Sequence, residues 1–322
     1  MKKMTTPISA ETTPYRIWHT HCLLLAVQIT FATLPVSAKI AFGSFSPESI
    51  VFLRIAGAGL LFGLIYLTRQ YEPIRHIKDL ATFALLAIFG VLGNQLLFLK
   101  GVSMSTAVNA SLLIATIPAF TLIIAAILGK EQMTGIKIGG ILVSFFGVSL
   151  LFPLSEFQLS GHFLGNLLIV INALLYSIFL VTSRSILKRY RPLTVITFVF
   201  LCGCVEMLPF TLKAVLGIPF SRLRFQDYLA PLFMVLVGTF IPYILNTMSL
   251  RQARSSMVAI YTYLQPLLGT LLAVIILHET LGVRFFVAAI LIFVGISMVS
   301  TGRFFSGAVS RAFPCPKEQK NK

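Results

Sequence analysis

The chain has 322 residues, of which 57% are hydrophobic, 12% aromatic and only 11% charged, with a mean hydropathy of +0.91. A soluble domain averages about 25% charged residues, so a water-soluble globule is excluded, and 28 Phe exclude a disordered chain. Lys and Arg outnumber Asp and Glu by 26 to 10, for a net charge of +16, but they occur in ones to fours between apolar runs, the pattern of membrane orientation and not of a nucleic-acid-binding face.

Ten apolar runs follow in chain order: Trp18–Ala38, Ser49–Thr68, Leu80–Leu99, Thr106–Leu128, Ile136–Phe152, Phe163–Thr182, Leu193–Leu212, Tyr228–Leu250, Met257–Leu277 and Val283–Thr301. A spanning helix takes about 20 apolar residues, whereas a barrel strand takes about 10 in strict alternation, so the runs predict helices. The expected fold is an all-α membrane protein of ten transmembrane helices. In the first run, Lys2 and Lys3 followed by Val36-Ser37-Ala38 imitate a signal peptide. The long polar N-region argues for an uncleaved helix instead. With the N-terminus inside, 19 Lys and Arg fall on the cytoplasmic side and six outside, with Arg54 within a run. The count predicts two cytoplasmic termini, a 1–17 tail and a basic 302–322 tail in a cytoplasmic (inner) membrane.

Four Cys and five His form no metal-binding spacing, and no cofactor is expected. The chain also repeats itself. At an offset of 148, Pro118 falls on Pro266, Glu131 on Glu279, Gly147 on Gly295 and Gly90 on Gly238. Pro and Glu are rare within apolar runs, so their coincidence signals duplication. The repeat pairs runs one to five with six to ten, and five is odd. The second copy therefore enters the membrane from the opposite side, as in inverted-repeat transporters. The boundaries read as 18–152 and 163–301.

Within the repeats, Asn109-Ala110-Ser111-Leu112-Leu113-Ile114-Ala115-Thr116-Ile117-Pro118 followed by Leu128-Gly129-Lys130-Glu131 is matched by Gln265-Pro266 followed by Leu277-His278-Glu279. With Phe52-Leu53-Arg54 in the second run, the chain resembles the EamA family of the drug/metabolite transporter (DMT) superfamily over about residues 18–301. The resemblance implies a ten-helix carrier of small metabolites, usually an exporter. A Trp-Gly pair common in that family's first helix is missing around Gln28.

Polar residues inside the runs mark either a pathway or helix-to-helix contacts. The candidate substrate-binding set is Gln28, Asn94, Asn109, Asn172, Tyr176, Asn246, Tyr261 and Gln265. Asn172, Tyr176 and Ser183 recur on one helix face, as do Tyr261, Gln265 and Gly269. Arg54 and Glu206 lie about 9–12 Å below the outer surface at 1.5 Å per residue. They are expected either to pair or to face the cavity, with Glu206 a candidate for proton coupling. Pro118 and Pro266 are candidate hinges or fixed bends. Glu131 and Glu279, each just before its next helix, are expected to meet that helix's N-terminal dipole. Gly59-x3-Gly63 and Gly135-x3-Gly139 are expected to allow close helix contact.

These residues predict a secondary transporter of a small polar or zwitterionic metabolite, working as a monomer or homodimer in the bilayer, with a proton as candidate coupling ion and no nucleic-acid partner. An importer or exchanger of a charged metabolite, a lipid flippase and a non-transporting scaffold are the alternatives. An enzyme is disfavoured, because no nucleophile–base or metal constellation is visible.

Overall fold

The computed structural model describes residues 14–69, 71–130, 132–151, 161–253 and 255–312, all helix, turn or loop with no strand among them. In chain order come α1 (Pro14–Ala32), α2 (Leu34–Ala41), α3 (Pro47–Arg69), α4 (Ile77–Ala87), α5 (Gly93–Met104), α6 (Ala107–Leu113), α7 (Ile117–Ile127) and α8 (Gly135–Ser149). The rest are α9 (Gly161–Ile186), α10 (Pro192–Glu206), α11 (Leu208–Leu216), α12 (Leu229–Val235), α13 (Ile241–Gln252), α14 (Ser255–Ile260), α15 (Leu264–Leu277) and α16 (Val283–Ala312).

Six helical stretches among the described residues are long and apolar enough to cross a membrane: Thr20–Ala41, Pro47–Arg69, Ile77–Met104, Ala107–Ile127, His162–Ile186 and Phe225–Gln252. The pair α10 and α11, bent by 66°, makes a seventh if it is one span. Large apolar side chains cover the outside, among them Leu60, Leu64, Leu67, Ile127 and Leu142. Water would not tolerate so wide an apolar surface, whereas lipid solvates it. This is a multi-pass membrane protein.

Several runs that the sequence presents as continuous are broken here. Thr33 separates α1 from α2, with Pro35 in the first turn of α2. The run containing Glu206 breaks at Met207, so Glu206 ends α10, and Pro209 opens α11. A first-turn proline loses no hydrogen bond, which is why these breaks fall just before prolines. The turns Ile114–Thr116 and Tyr261–Tyr263 tighten to 3-10 geometry immediately ahead of Pro118 and Pro266. Two π-helical segments, Ile88–Leu92 and Leu236–Phe240, join α4 to α5 and α12 to α13. They lie 148 positions apart, as do the first residues of α5 and α13, of α6 and α14, and of α8 and α16.

The packing follows small residues. A Cβ on Gly295 would collide with the Gly140 carbonyl and Ser144, and one on Gly147 would lie 2.9 Å from the Ala288 carbonyl. The close crossing of α8 and α16 therefore runs along Gly140, Ser144 and Gly147, whereas Gly135 faces open space. Gly59 does pack closely, against Cys204 of α10, but Gly63 touches nothing. At the C-terminal side, α16 continues to Ala312, so the stretch read from sequence as a tail begins as helix. Glu131 and the tails 1–13 and 313–322 lie outside the described residues.

Candidate functional site

In the middle of the helical core lies a cavity of about 50 Å³. Its walls come from α2, α3, α5, α7, α9, α13 and α15 and the turn at Ile114: Phe31 at the end of α1, then Leu34, Arg54, Asn94, Gln95, Phe98, Ile114, Ile117, Asn172, Tyr176, Tyr243 and Gln265. Of the sequence-predicted set, Asn94, Asn172, Tyr176, Gln265 and Arg54 line it directly. Gln28 and Asn246 stand one bond behind. Gln265 Nε2 donates to Gln28 Oε1 at 2.5 Å, and Asn246 Nδ2 donates to the Tyr176 hydroxyl at 2.9 Å. Asn172 Nδ2 donates to the Asn94 carbonyl at 2.7 Å, tying α9 to α5.

The π segments explain much of the geometry. A π turn interrupts the regular i to i+4 ladder and can leave a carbonyl for another donor. The Gly90 carbonyl accepts from the Tyr243 hydroxyl at 2.8 Å, and the Gly238 carbonyl accepts from Arg54 Nη2 at 3.2 Å. These equivalent glycines thus present backbone oxygens to polar side chains at the same cavity. Arg54 Nε donates to Thr239 Oγ1 at 2.8 Å, and Thr239 passes its own proton to the Met234 carbonyl. Arg54 is 2% exposed, and its Nη1 has no hydrogen-bond partner. The Gln95 amide lies buried within reach of the Tyr243 hydroxyl.

Other predicted residues lie elsewhere. Arg54 and Glu206 are not paired: Glu206 is absent from the cavity wall, and its buried Oε2 has no partner. Asn109 lines a separate surface hollow of about 310 Å³ with Thr106, Glu279 and Arg284. Tyr261 is hydrogen-bonded to His21 Nδ1 at the α1 entrance. Pro118 and Pro266 sit in the first turns of α7 and α15, flanking the cavity residues Ile117 and Gln265.

Glu279 corrects a sequence expectation. Its carboxylate does not serve the helix that follows it but caps α6 from the other half of the chain. The Ala107 and Val108 amides donate to Oε1 and Oε2, each at 2.9 Å. Those orphan N–H groups attract a carboxylate wherever the chain brings one. Nearby, Lys39 Nζ donates to the Ser105 carbonyl at 2.5 Å, and Ser105 Oγ donates to Asn166 Oδ1 at 2.5 Å. Elsewhere, Thr20 Oγ1 donates to Gln252 Oε1 at 2.9 Å, and His21 bonds the Tyr261 hydroxyl. None of these residues lines the cavity. Sequence reasoning missed Gln95, Thr239, Tyr243 and His21. Gln95 was visible as a second amide beside Asn94, but the others depend on the π turns and the helix pairing.

Among the described residues, no group of His, Cys, Asp and Glu is arranged to hold a metal ion. The arrangement is suited to binding: one guanidinium, four amides, two phenols and several aromatic and aliphatic faces, with no nucleophile–base pair.

Residues 18–152 and 163–301 each match the profile of the EamA-like transporter family. An uncharacterized transporter of Archaeoglobus fulgidus is 28% identical over 281 residues, covering 86% of this chain and 97% of that protein. The uncharacterized transporter YyaM of Bacillus subtilis is 25% identical over 271 residues, covering 82% and 87%. A WAT1-related protein of Arabidopsis thaliana is 23% identical, covering 87% and 83%. One solved crystal structure superposes with a TM-score of 0.64 at 17% identity, covering 88% of this chain and 97% of its own, a likeness of fold alone.

Proposed function

The chain belongs to the EamA-like transporter family, and from that premise we propose that it is a secondary transporter moving a small polar or zwitterionic metabolite, an amino acid or a derivative of one, out across the cytoplasmic membrane by alternating access. The observation that carries this reading is a cavity in the core whose wall gathers one guanidinium, four amides and two phenols among apolar side chains. A volume of about 50 Å³ suits a water or two and not a metabolite. The cavity must therefore widen to take up a metabolite.

The architecture supports alternation. Six long spans, the bent pair α10 and α11, and the shorter apolar helices Gly135–Ser149, Tyr261–Leu277 and Val283–Gly295 together make ten. Two matches to one family profile and two π segments 148 residues apart fit a five-plus-five repeat. An odd number per repeat inverts the second copy, so each half can adopt the other's conformation. The Lys and Arg distribution supports a topology with both termini in the cytoplasm. A proton is the proposed coupling ion. Glu206, at the bend between α10 and α11 with a buried, unpartnered oxygen, is its proposed carrier.

An uptake and efflux screen in proteoliposomes, comparing wild type with Asn172→Ala and Glu206→Gln, tests the proposal. Asn172→Ala is expected to weaken transport at least tenfold, and Glu206→Gln to abolish its pH dependence. Folded wild-type protein that moves no solute would favour the scaffold reading. Unaltered pH dependence in Glu206→Gln would remove that residue from coupling.

A further inference from the structure

From the wall of the central cavity we infer that the substrate carries a carboxylate, that this group docks on Arg54 Nη1, and that the site prefers small organic monoanions to amines and neutral amides. The inference rests on the transporter reading and narrows its cargo, setting a monoanion ahead of a zwitterion. Arg54 is the one charged side chain in the wall. It is 2% exposed, and its recorded acceptors, Thr239 Oγ1 and the Gly238 carbonyl, are neutral. A guanidinium held out of water needs an anion or a full set of acceptors. Here Nη1 has neither. Glu206, the partner that the sequence suggested, is absent from the cavity wall.

The orientation of the guanidinium fits this use. The bonds to Thr239 and Gly238 hold one edge of the fork, because the π segment Leu236–Phe240 fixes both acceptors. The free nitrogen is left for a ligand, and a charge-assisted bond to carboxylate is the strongest that a guanidinium makes. The Gln95 amide in the same wall supplies a second polar contact. Phe31, Phe98 and Ile114 leave an apolar space for the rest of the molecule. A cationic ligand would face Arg54 with no carboxylate in the wall to compensate. A zwitterion would leave its ammonium to amide oxygens and aromatic faces, so it should bind more weakly than the matching monoanion.

The test uses four compounds of one carbon skeleton: butanoate, butanamide, butylamine and 2-aminobutanoate. Each is added to the full-length protein in detergent at pH 7, and the thermal midpoint is followed. Counterflow into proteoliposomes is then measured above protein-free vesicles. Butanoate is expected to stabilise wild type most, 2-aminobutanoate less, and the amide and amine least. Arg54→Gln should weaken butanoate binding at least tenfold, and Arg54→Lys should recover part of it. Selectivity in wild type alone decides the matter should Arg54→Gln not fold. Transport of the amine or amide in preference to the carboxylates, or equal stabilisation by chloride, would overturn the inference while leaving a transporter. No stabilisation and no counterflow by either carboxylate in folded protein would overturn the inference alone, whereas the wider solute screen decides the function proposed above.

Discussion

Glu279 shows how much one side chain contributes when it reaches across the repeat. Its two oxygens satisfy two of the four orphan N–H groups at the start of α6. Glu279→Ala is expected to cost about 1–2 kcal/mol, the usual worth of a capping side chain, and Glu279→Gln about half as much. Thermal unfolding of the purified protein would reveal this, and an unchanged midpoint in Glu279→Ala would refute the cap. Glu72 offers a second test at this scale, from the loop between α3 and α4. Burial pushes its pKa up, but the Arg191 amide, the Thr194 hydroxyl and the Arg75 and Arg191 guanidinium groups outweigh burial, and the pKa ends below its ordinary value. A folded-state pKa that is depressed adds stability above the ordinary glutamate range and loses it as pH falls through the lowered value. Wild type should therefore lose stability on acidification more steeply than Glu72→Gln. Parallel pH curves for the two would show that Glu72 contributes nothing.

At the scale of the element, helix existence was legible in the apolar runs, but helix continuity was not. The length of a run carries no record of a π turn, because that turn differs from an α turn only in its hydrogen-bond register. The polar residues Asn94, Asn172, Tyr176 and Gln265 were readable as candidates because they interrupt apolar sequence. Tyr243 was hidden, being an aromatic among apolar neighbours whose partner, Gly90, lies 153 positions away. The packing stripes were only partly legible: of Gly135-x3-Gly139, Gly139 meets Met298 of α16 whereas Gly135 meets nothing, and Gly140, Ser144 and Gly147 make the tightest contact with α16. Only the facing helix decides which stripe is used. Gly295→Val should accordingly destabilise by about 1–3 kcal/mol through overpacking, whereas Gly135→Ala should be neutral to slightly stabilising. Equal midpoints for the two variants would mean that α8 and α16 do not cross where described.

For the whole molecule, the proposal of alternating access makes a mechanical claim about two sets of cross-helix bonds. Opening at the Lys39 end requires parting Lys39 from Ser105, Ser105 from Asn166 and Glu279 from α6. Opening at the opposite end requires parting Thr20 from Gln252 and His21 from Tyr261. Each set links α1 or α2, or the start of α9, to the other half of the chain or to its own helix ends, so neither end can open by moving a loop alone. If transport alternates between the two, locking one end must stop it while leaving the fold intact. In a chain with Cys22, Cys202, Cys204 and Cys315 replaced, the pair Thr20→Cys and Gln252→Cys is expected to cross-link on oxidation and to abolish transport, with a reductant restoring it. The single variants should be indifferent to oxidation. Transport that continues at the full rate in the cross-linked protein would show that α1 and α13 need not part for the substrate to pass.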